Sequence, residues 1–505
     1  MLKAAQIFSN NMVLQRDKNI AVWGKGEDGR TVSVTLDGVT RTAAVREGKW
    51  SLELPPMSAS PVGTDSEYEM VITDGEETIT FCRVVIGEVW FCGGQSNMEL
   101  ELQNAKDGNE FLKELDESTP IRYYYTPKVA TAEEAEEQGA NSGWNTASPE
   151  NSKAWSAVGF HFARKLSKDL GVTVGLIGCN WGGTSASSWV DRKTLENDKT
   201  ISSYIEEYDE KIKGKSLEQQ AQEYRDYEKY DAEWNKKQQE CYAKDPKMSW
   251  AEVCKICGEN KWPGPLNEFN PFRPTNMFHN MVMRVCPYTI KGFLYYQGES
   301  DDHKPDSYYR LLTSLISLWR EKWGDDELLF IMVQLPMFKF AADPDYKHWC
   351  KIRSAQMKAF RTVKNTGIAV ILDCGELDNI HPLDKQPVGE RLCLQAQKLC
   401  YGMDVKAFGP LYKSYVVRDN EIELSFDYAE NGFVIKGEKP TGFEIAAEGG
   451  NFVCADVRIE GSRILVSSPE IAEPKYVRYN WFNYAEVTVC NETGIPLAPF
   501  STFDE

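Results

Sequence analysis

An apolar run that stops at two glycines and a serine constrains this chain more than any other segment. Val84-Val85-Ile86 and Val89-Trp90-Phe91-Cys92 lead into Gly93-Gly94-Gln95-Ser96-Asn97-Met98. Val, Ile, Trp and Phe in a near-continuous stretch suit a buried strand. The glycines let the backbone turn tightly and let another molecule approach it closely. A serine just past such a strand presents its hydroxyl at the sheet edge, where open α/β folds place their ligands. Taken alone, Ser96 is more often a turn serine serving local hydrogen bonds, so its partners decide the matter.

Those partners lie far along the chain. Asp373-Cys374-Gly375-Glu376-Leu377-Asp378-Asn379-Ile380-His381-Pro382 follows another apolar run, Ile368 to Leu372. Of the five histidines, His381 alone sits just beyond such a run and three residues after an aspartate. A carboxylate at that spacing can accept the imidazole Nδ1–H and leave Nε2 to take a proton from a serine. Asp378 is the favoured orienter, and Asp373 on the same strand exit is the second candidate. The competing reading is a loop histidine beside a proline, which loses weight once a Gly-Gly-x-Ser turn closes another strand.

Gly-Gln-Ser-Asn-Met after a strand and Asp-x-x-His-Pro late in the α/β region resemble the first and last blocks of the SGNH (GDSL-type) hydrolases. More narrowly, the chain resembles the sialate O-acetylesterase family and related carbohydrate acetylesterases. Asn180-Trp181-Gly182-Gly183-Thr184-Ser185 and Gly292-Phe293-Leu294-Tyr295-Tyr296-Gln297-Gly298-Glu299-Ser300-Asp301 match the middle blocks in order and character. Flanking segments agree: Asn11 to Arg16, Val477 to Trp481 and Gly494 to Phe500. The likeness spans nearly the whole chain.

The resemblance implies a serine esterase with Ser96 as nucleophile, His381 as base and Asp378 as its orienter. It also implies an oxyanion hole made of the Ser96 N–H, a glycine N–H and a side-chain amide. Gly183 is the expected glycine donor, with Gly182 the neighbouring possibility, and Gln297 stands where the wider class has an asparagine. Fixed donors of this kind are commonly the largest single catalytic contribution. Gln95, Trp181, Gly182, Trp189 and Glu299 are candidate substrate contacts, the tryptophans by stacking on a sugar face. Glu299 with Asp301 also fits a glycosidase carboxylate pair, but that leaves Ser96, His381 and both glycines unexplained. The expected substrate is an O-acetylated carbohydrate, acetyl-sialic acid first. Acetylated xylan or a small ester, and non-catalytic sugar binding, are the rivals. No metal or cofactor is expected.

With a net charge of −19, the chain is a poor match for nucleic acid or an anionic membrane surface. The same charge stands in mild tension with sialic acid, itself an anion. No apolar run approaches the ~20 residues of a membrane helix. The N-terminus lacks an apolar leader core, and thirteen scattered cysteines suit reduced thiols. A cytoplasmic location is therefore expected, or a secreted or periplasmic one if a leader was removed. Cys254-x-x-Cys257 reads as two structural cysteines on a helix rather than a zinc or redox pair.

The 505 residues call for two or three domains. Residues 1–82 read as short strands with an Asp37-Gly38 hairpin signal, a β-sandwich-like module. Residues 83–402 alternate strands and helices, an α/β pattern. With the resemblance this implies an SGNH-like three-layer α/β/α domain on a parallel sheet. Within it, residues 195–262 form a charged helical insertion, either a lid or substrate wall or an element packed outside. Residues 403–505 return to short strands and form a second β module.

Overall fold

The run before Ser96 forms one unusually long strand, β1 (Thr78–Gly94), whose residues from Val84 to Gly94 are all buried. The computed structural model describes residues 1–62, 67–131, 134, 142–246, 248–340 and 344–503. Six more strands join β1 in the central sheet: β2 (Ile121–Tyr125), β3 (Trp144–Thr146), β4 (Val174–Asn180), β5 (Gly292–Tyr296), β6 (Leu329–Gln334) and β7 (Thr366–Val370). Their order is β3-β2-β4-β1-β5-β6-β7. All neighbours are parallel except β3 against β2. From β1 the chain builds one side of the sheet (β2, β4) before crossing to the other (β5, β6, β7). The carboxyl end of β1 is thus the point where strand order reverses, which is where such sheets bind ligands.

Helices cover both faces. Trp90 and Phe91 are successive residues of β1 and point to opposite sides of the sheet. Trp90 meets Phe162 of α2 (Ala157–Leu170) with ring centroids 5.1 Å apart, while Phe91 meets Trp319 of α3 (Pro305–Trp323) at 5.2 Å. Before α2 comes the one-turn α1 (Ser96–Glu99). After α3 follow α4 (His348–Thr362) and α5 (Gln386–Leu399). Ser156 caps α2, accepting from the Gly159 N–H at 3.0 Å, which gives the helix a sharp start.

The sheet is mixed rather than purely parallel, because β1 is long enough to serve two partners. Its first half pairs antiparallel with Tyr68–Thr73, which continues to Thr31–Leu36 and Val39–Ala44, while Val13–Gln15 pairs parallel with Val85 to Gly87. Position 82/83 therefore falls inside one continuous strand. The Asp37-Gly38 pair forms a two-residue turn with both φ positive, 47° and 72°, joining Leu36 to Val39. After residue 403 two four-stranded sheets enclose a core that includes Ile422, Leu424, Ile445, Val477 and Tyr479.

By packing, the chain divides into two units: Met1–Thr126, Ser142–Ala186 and Val285–Glu505, then Pro127–Asn141 and Ser187–Arg284. Within the second unit, Leu217–Lys244 and Trp250–Cys257 pack around Trp234, Cys241, Val253 and Cys257, each helix opened by a capping box. All thirteen cysteines are free thiols, Cys254 and Cys257 among them. Among the described residues no helix is long and apolar enough to cross a membrane.

Candidate active site

Four loops leave the carboxyl ends of β1, β4, β5 and β7 and carry every block singled out in the sequence. Gly94 has φ +135°, and a Cβ there would lie 2.1 Å from the Tyr296 carbonyl oxygen. Only glycine allows β1 to turn so close to β5. The Gln95 N–H then donates to that same carbonyl at 3.0 Å, and α1 starts at Ser96.

From the loop after β7, His381 Nε2 lies 2.8 Å from Ser96 Oγ. Its loop is laced internally: Glu376 accepts from Asn379 Nδ2 at 2.8 Å and from the Leu383 N–H at 3.0 Å, and the His381 N–H donates to Asn379 Oδ1 at 3.0 Å. Burial and the neighbouring Lys385 ammonium hold the imidazole below its ordinary pKa, against the smaller opposing effect of Glu99. A neutral imidazole at hydrogen-bond distance from a hydroxyl is arranged to accept its proton.

Asp378, the favoured orienter, stands on the same loop as His381. It is exposed, has φ +62°, and its N–H donates to the Lys339 carbonyl at 3.2 Å. Asp373, the second candidate, is drawn away by Arg391, which it accepts from at 2.6 and 2.9 Å.

The loop after β4 lies against the serine: a Cβ at Gly182 would be 3.2 Å from Ser96 Cβ. The Gly182 N–H is taken by Glu99 Oε2 at 2.5 Å. Among the described residues, no hydrogen bond engages the N–H of Ser96 or of Gly183, which has φ +76°. These two remain available to an oxyanion. Gln297, the expected side-chain donor, has its amide engaged elsewhere. Its Nε2 donates to Asp301 Oδ2 at 2.6 Å and faces Gln95 Oε1 and the Thr184 carbonyl at 3.2 Å, while its Oε1 accepts from Tyr308 at 3.0 Å. A buried amide with this many partners is a brace under the site.

The proposed substrate contacts also sort by burial. Gln95 is 3% exposed, with its Oε1 held by the Ser300 N–H at 3.1 Å, and Trp189 has no exposed surface. Trp181 and Gly182 are half-buried beside the serine turn. Glu299 is 5% exposed and faces inward, accepting from Asn97 Nδ2 at 2.7 Å. Burial raises its carboxyl pKa, against the Asn97 hydrogen bond, which lowers it. Sequence reasoning missed Asn97, Glu99 and Lys385. Asn97 adjoins the serine and offered a clue, whereas nothing in Asp384-Lys385-Gln386 marked a buried lysine. Among the described residues no group of three or more His, Cys, Asp or Glu side chains is placed to hold a metal ion.

A family model described as "Carbohydrate esterase, sialic acid-specific acetylesterase" matches residues 86–239 and 263–391, more than half of the chain and all four loops of the site. The chain belongs to this family. It is 27% identical to the sialate O-acetylesterase of Mus musculus over 461 residues, covering 84% of this chain and 78% of that protein. With the sialate O-acetylesterase of Homo sapiens it shares 27% identity over 494 residues, 90% of this chain and 80% of the relative. Among solved structures it is similar to a carbohydrate acetylesterase from Xanthomonas citri, with a TM-score of 0.78, 26% identity and 99% of each chain covered.

Proposed function

We propose that this esterase is a metal-independent serine enzyme of the SGNH type that removes O-acetyl groups from carbohydrates, with an O-acetylated sialic acid as first substrate. The observation that carries the reading is the 2.8 Å approach of His381 Nε2 to Ser96 Oγ at the reversal point of the sheet, in a chain of this family. Ser96 attacks the acetyl carbonyl as His381 takes its proton. The tetrahedral oxyanion is received by the Ser96 and Gly183 N–H groups. His381 then protonates the departing sugar oxygen, and water releases acetate from the acetyl-serine by the same roles reversed. Asp378, three residues ahead of the base on the same loop, is the carboxylate that would orient it. The sialate O-acetylesterase relatives favour acetyl-sialic acid. The Xanthomonas citri relative, described more broadly as a carbohydrate acetylesterase, supports acetylated xylan or other sugars as the second reading.

The test is acetate release from 9-O-acetylated sialic acid and from acetylated xylo-oligosaccharides, wild type beside Ser96→Ala. Release that vanishes in the variant supports the serine mechanism, and the preferred sugar assigns the substrate class. A folded wild type that releases no acetate from any acetylated sugar overturns the reading.

A further inference from the structure

Behind the serine and histidine lies a cluster of buried polar groups that the proposed chemistry does not use. Asn97, the residue after Ser96, has no exposed surface. Its Nδ2 donates both to Glu299 Oε1 at 2.7 Å and to the Ile380 carbonyl at 2.9 Å. Its Oδ1 accepts from Lys385 Nζ at 2.5 Å. One side chain thereby joins the nucleophile's turn, the loop after β5, the residue next to the base and the start of α5. Both N–H groups of the amide and one lone pair of its oxygen are in use.

The two charged members are costly to place there. Lys385 is 1% exposed, with the Tyr296 ring centroid 5.3 Å from its Nζ. Glu299 Oε2 is buried without a hydrogen-bond partner. Charges taken out of water tend to be kept where they set a geometry or a charge state, since packing alone is served as well by apolar side chains.

We propose that Glu299, Asn97 and Lys385 are positioning residues for the esterase reaction: the buried pair clamps Asn97, and Asn97 holds the Ile380 carbonyl so that the His381 ring stays on Ser96 Oγ. This rests on the reading of Ser96 and His381 as nucleophile and base. The same lysine also tunes the base. Lys385 and, from α1, Glu99 are the charges that act on His381, and the ammonium disfavours the imidazolium. Around Lys385 stand the carboxylates of Glu299, Glu376 and Asp384, which support the ammonium against burial, and the Cys374 thiol; burial prevails, and its pKa comes down to about 8. Around Glu299 stand Lys385, which favours the carboxylate, and Asp301, which opposes it. Tyr295, Tyr296 and Tyr308 complete its surroundings.

The test is the pH profile of kcat and kcat/KM for Lys385→Met and Glu299→Gln, with thermal unfolding and stoichiometric labelling of Ser96 by a fluorophosphonate as folding checks. Lys385→Met is expected to lower kcat on the order of 10²-fold with KM little changed, since small displacements of a catalytic group cost that much. Its acid-limb midpoint should move to higher pH, because a positive charge beside His381 is gone. Glu299→Gln keeps an acceptor for Asn97 and is nearly isosteric, so it folds where a larger change fails. It should move the midpoint the same way, by favouring neutral Lys385. The double variant should lose little more than Lys385→Met alone, as members of one unit do. Wild-type kcat and midpoint in both folded single variants overturn the proposal. So does a loss of kcat that tracks lost thermal stability with the midpoint unmoved. If instead wild-type Ser96 resists the fluorophosphonate and no acetylated sugar is cleaved, the underlying reading of Ser96 and His381 fails, and this proposal falls with it.

Discussion

Gly94 and the Tyr296 carbonyl approach so closely that a Cβ on the glycine would sit 2.1 Å from the oxygen. The contact sets how β1 and β5 end together, and therefore where Ser96 stands relative to the loop carrying Gln297 and Glu299. Gly94→Ala must push the strands apart while also holding alanine at φ +135°. A destabilisation of roughly 2 kcal/mol or more is expected, with a fall in kcat beyond what the lost folded fraction explains. Urea denaturation and steady-state kinetics on one preparation check both. Unchanged kcat in folded Gly94→Ala would show that the turn does not govern the serine.

Ser96→Ala and His381→Ala should each lower kcat by several orders of magnitude while unfolding transitions stay near wild type. Because His381 must be neutral to act as base and its pKa lies below the ordinary value of about 6.5, kcat/KM should rise with pH through a midpoint under about 6.5. A midpoint well above that value would mean that another group governs the acid limb.

For Asp378, the proposed role and its exposed position make opposite demands, and kinetics separates them. Orientation of the imidazole predicts a loss of about 10²-fold or more in kcat for Asp378→Asn, since the wrong tautomer is then favoured. A loss under about tenfold would reduce the site to a Ser96–His381 pair.

The sequence made the strand ends legible because they combine two signals that local physics enforces. A continuous apolar run can only be buried, and a glycine pair at its end permits a turn that other residues cannot make. These signals pointed to Ser96 and His381 and the resemblance gave them roles, and the fold brings them together across 285 residues of chain. Side-chain direction was not legible. Gln297 and Glu299 follow β5 two positions apart in one motif, and they point inward to Asp301 of the same loop and to Asn97 of another, which the motif alone does not reveal. The same holds for Trp189, where a tryptophan near a turn reads equally as sugar platform or as core. The continuity of β1 through residue 82 was also hidden, because the alternation of its outer half and the apolar run of its inner half look like separate elements.

Gln297 as a brace has a different signature from Gln297 as an oxyanion donor. Gln297→Ala would strip a donor from Asp301, which is fully buried, and an acceptor from Tyr308. Asp301 keeps the Ala186 N–H and Tyr308 keeps the Gln297 carbonyl, so the cost is that of the two lost buried hydrogen bonds, about 1 kcal/mol each. The expected result is a lower urea midpoint and a kcat change under about tenfold in the folded protein. Intact stability with kcat reduced by about 10²–10³-fold would instead restore it to the oxyanion hole.

His161 supplies a stability prediction away from the chemistry. It is 2% exposed on α2, its ring centroid is 4.9 Å from that of Phe111, and its Nε2 is buried without a partner. Burial first, then Arg164, brings its pKa down to about 4, with Asp384 opposing. The unfolded chain therefore binds this proton at a higher pH than the native protein does. Stability is unaffected above about pH 6.5, falls as pH drops from there to about 4, and levels off below, by roughly 3 kcal/mol at most. His161→Phe removes the proton site and keeps an aromatic ring against Phe111. The difference in unfolding free energy between pH 7 and pH 4.5, measured by urea denaturation, should be smaller in the variant than in the wild type. Equal differences in the two proteins would mean that His161 takes up its proton in the native state as readily as in the unfolded chain.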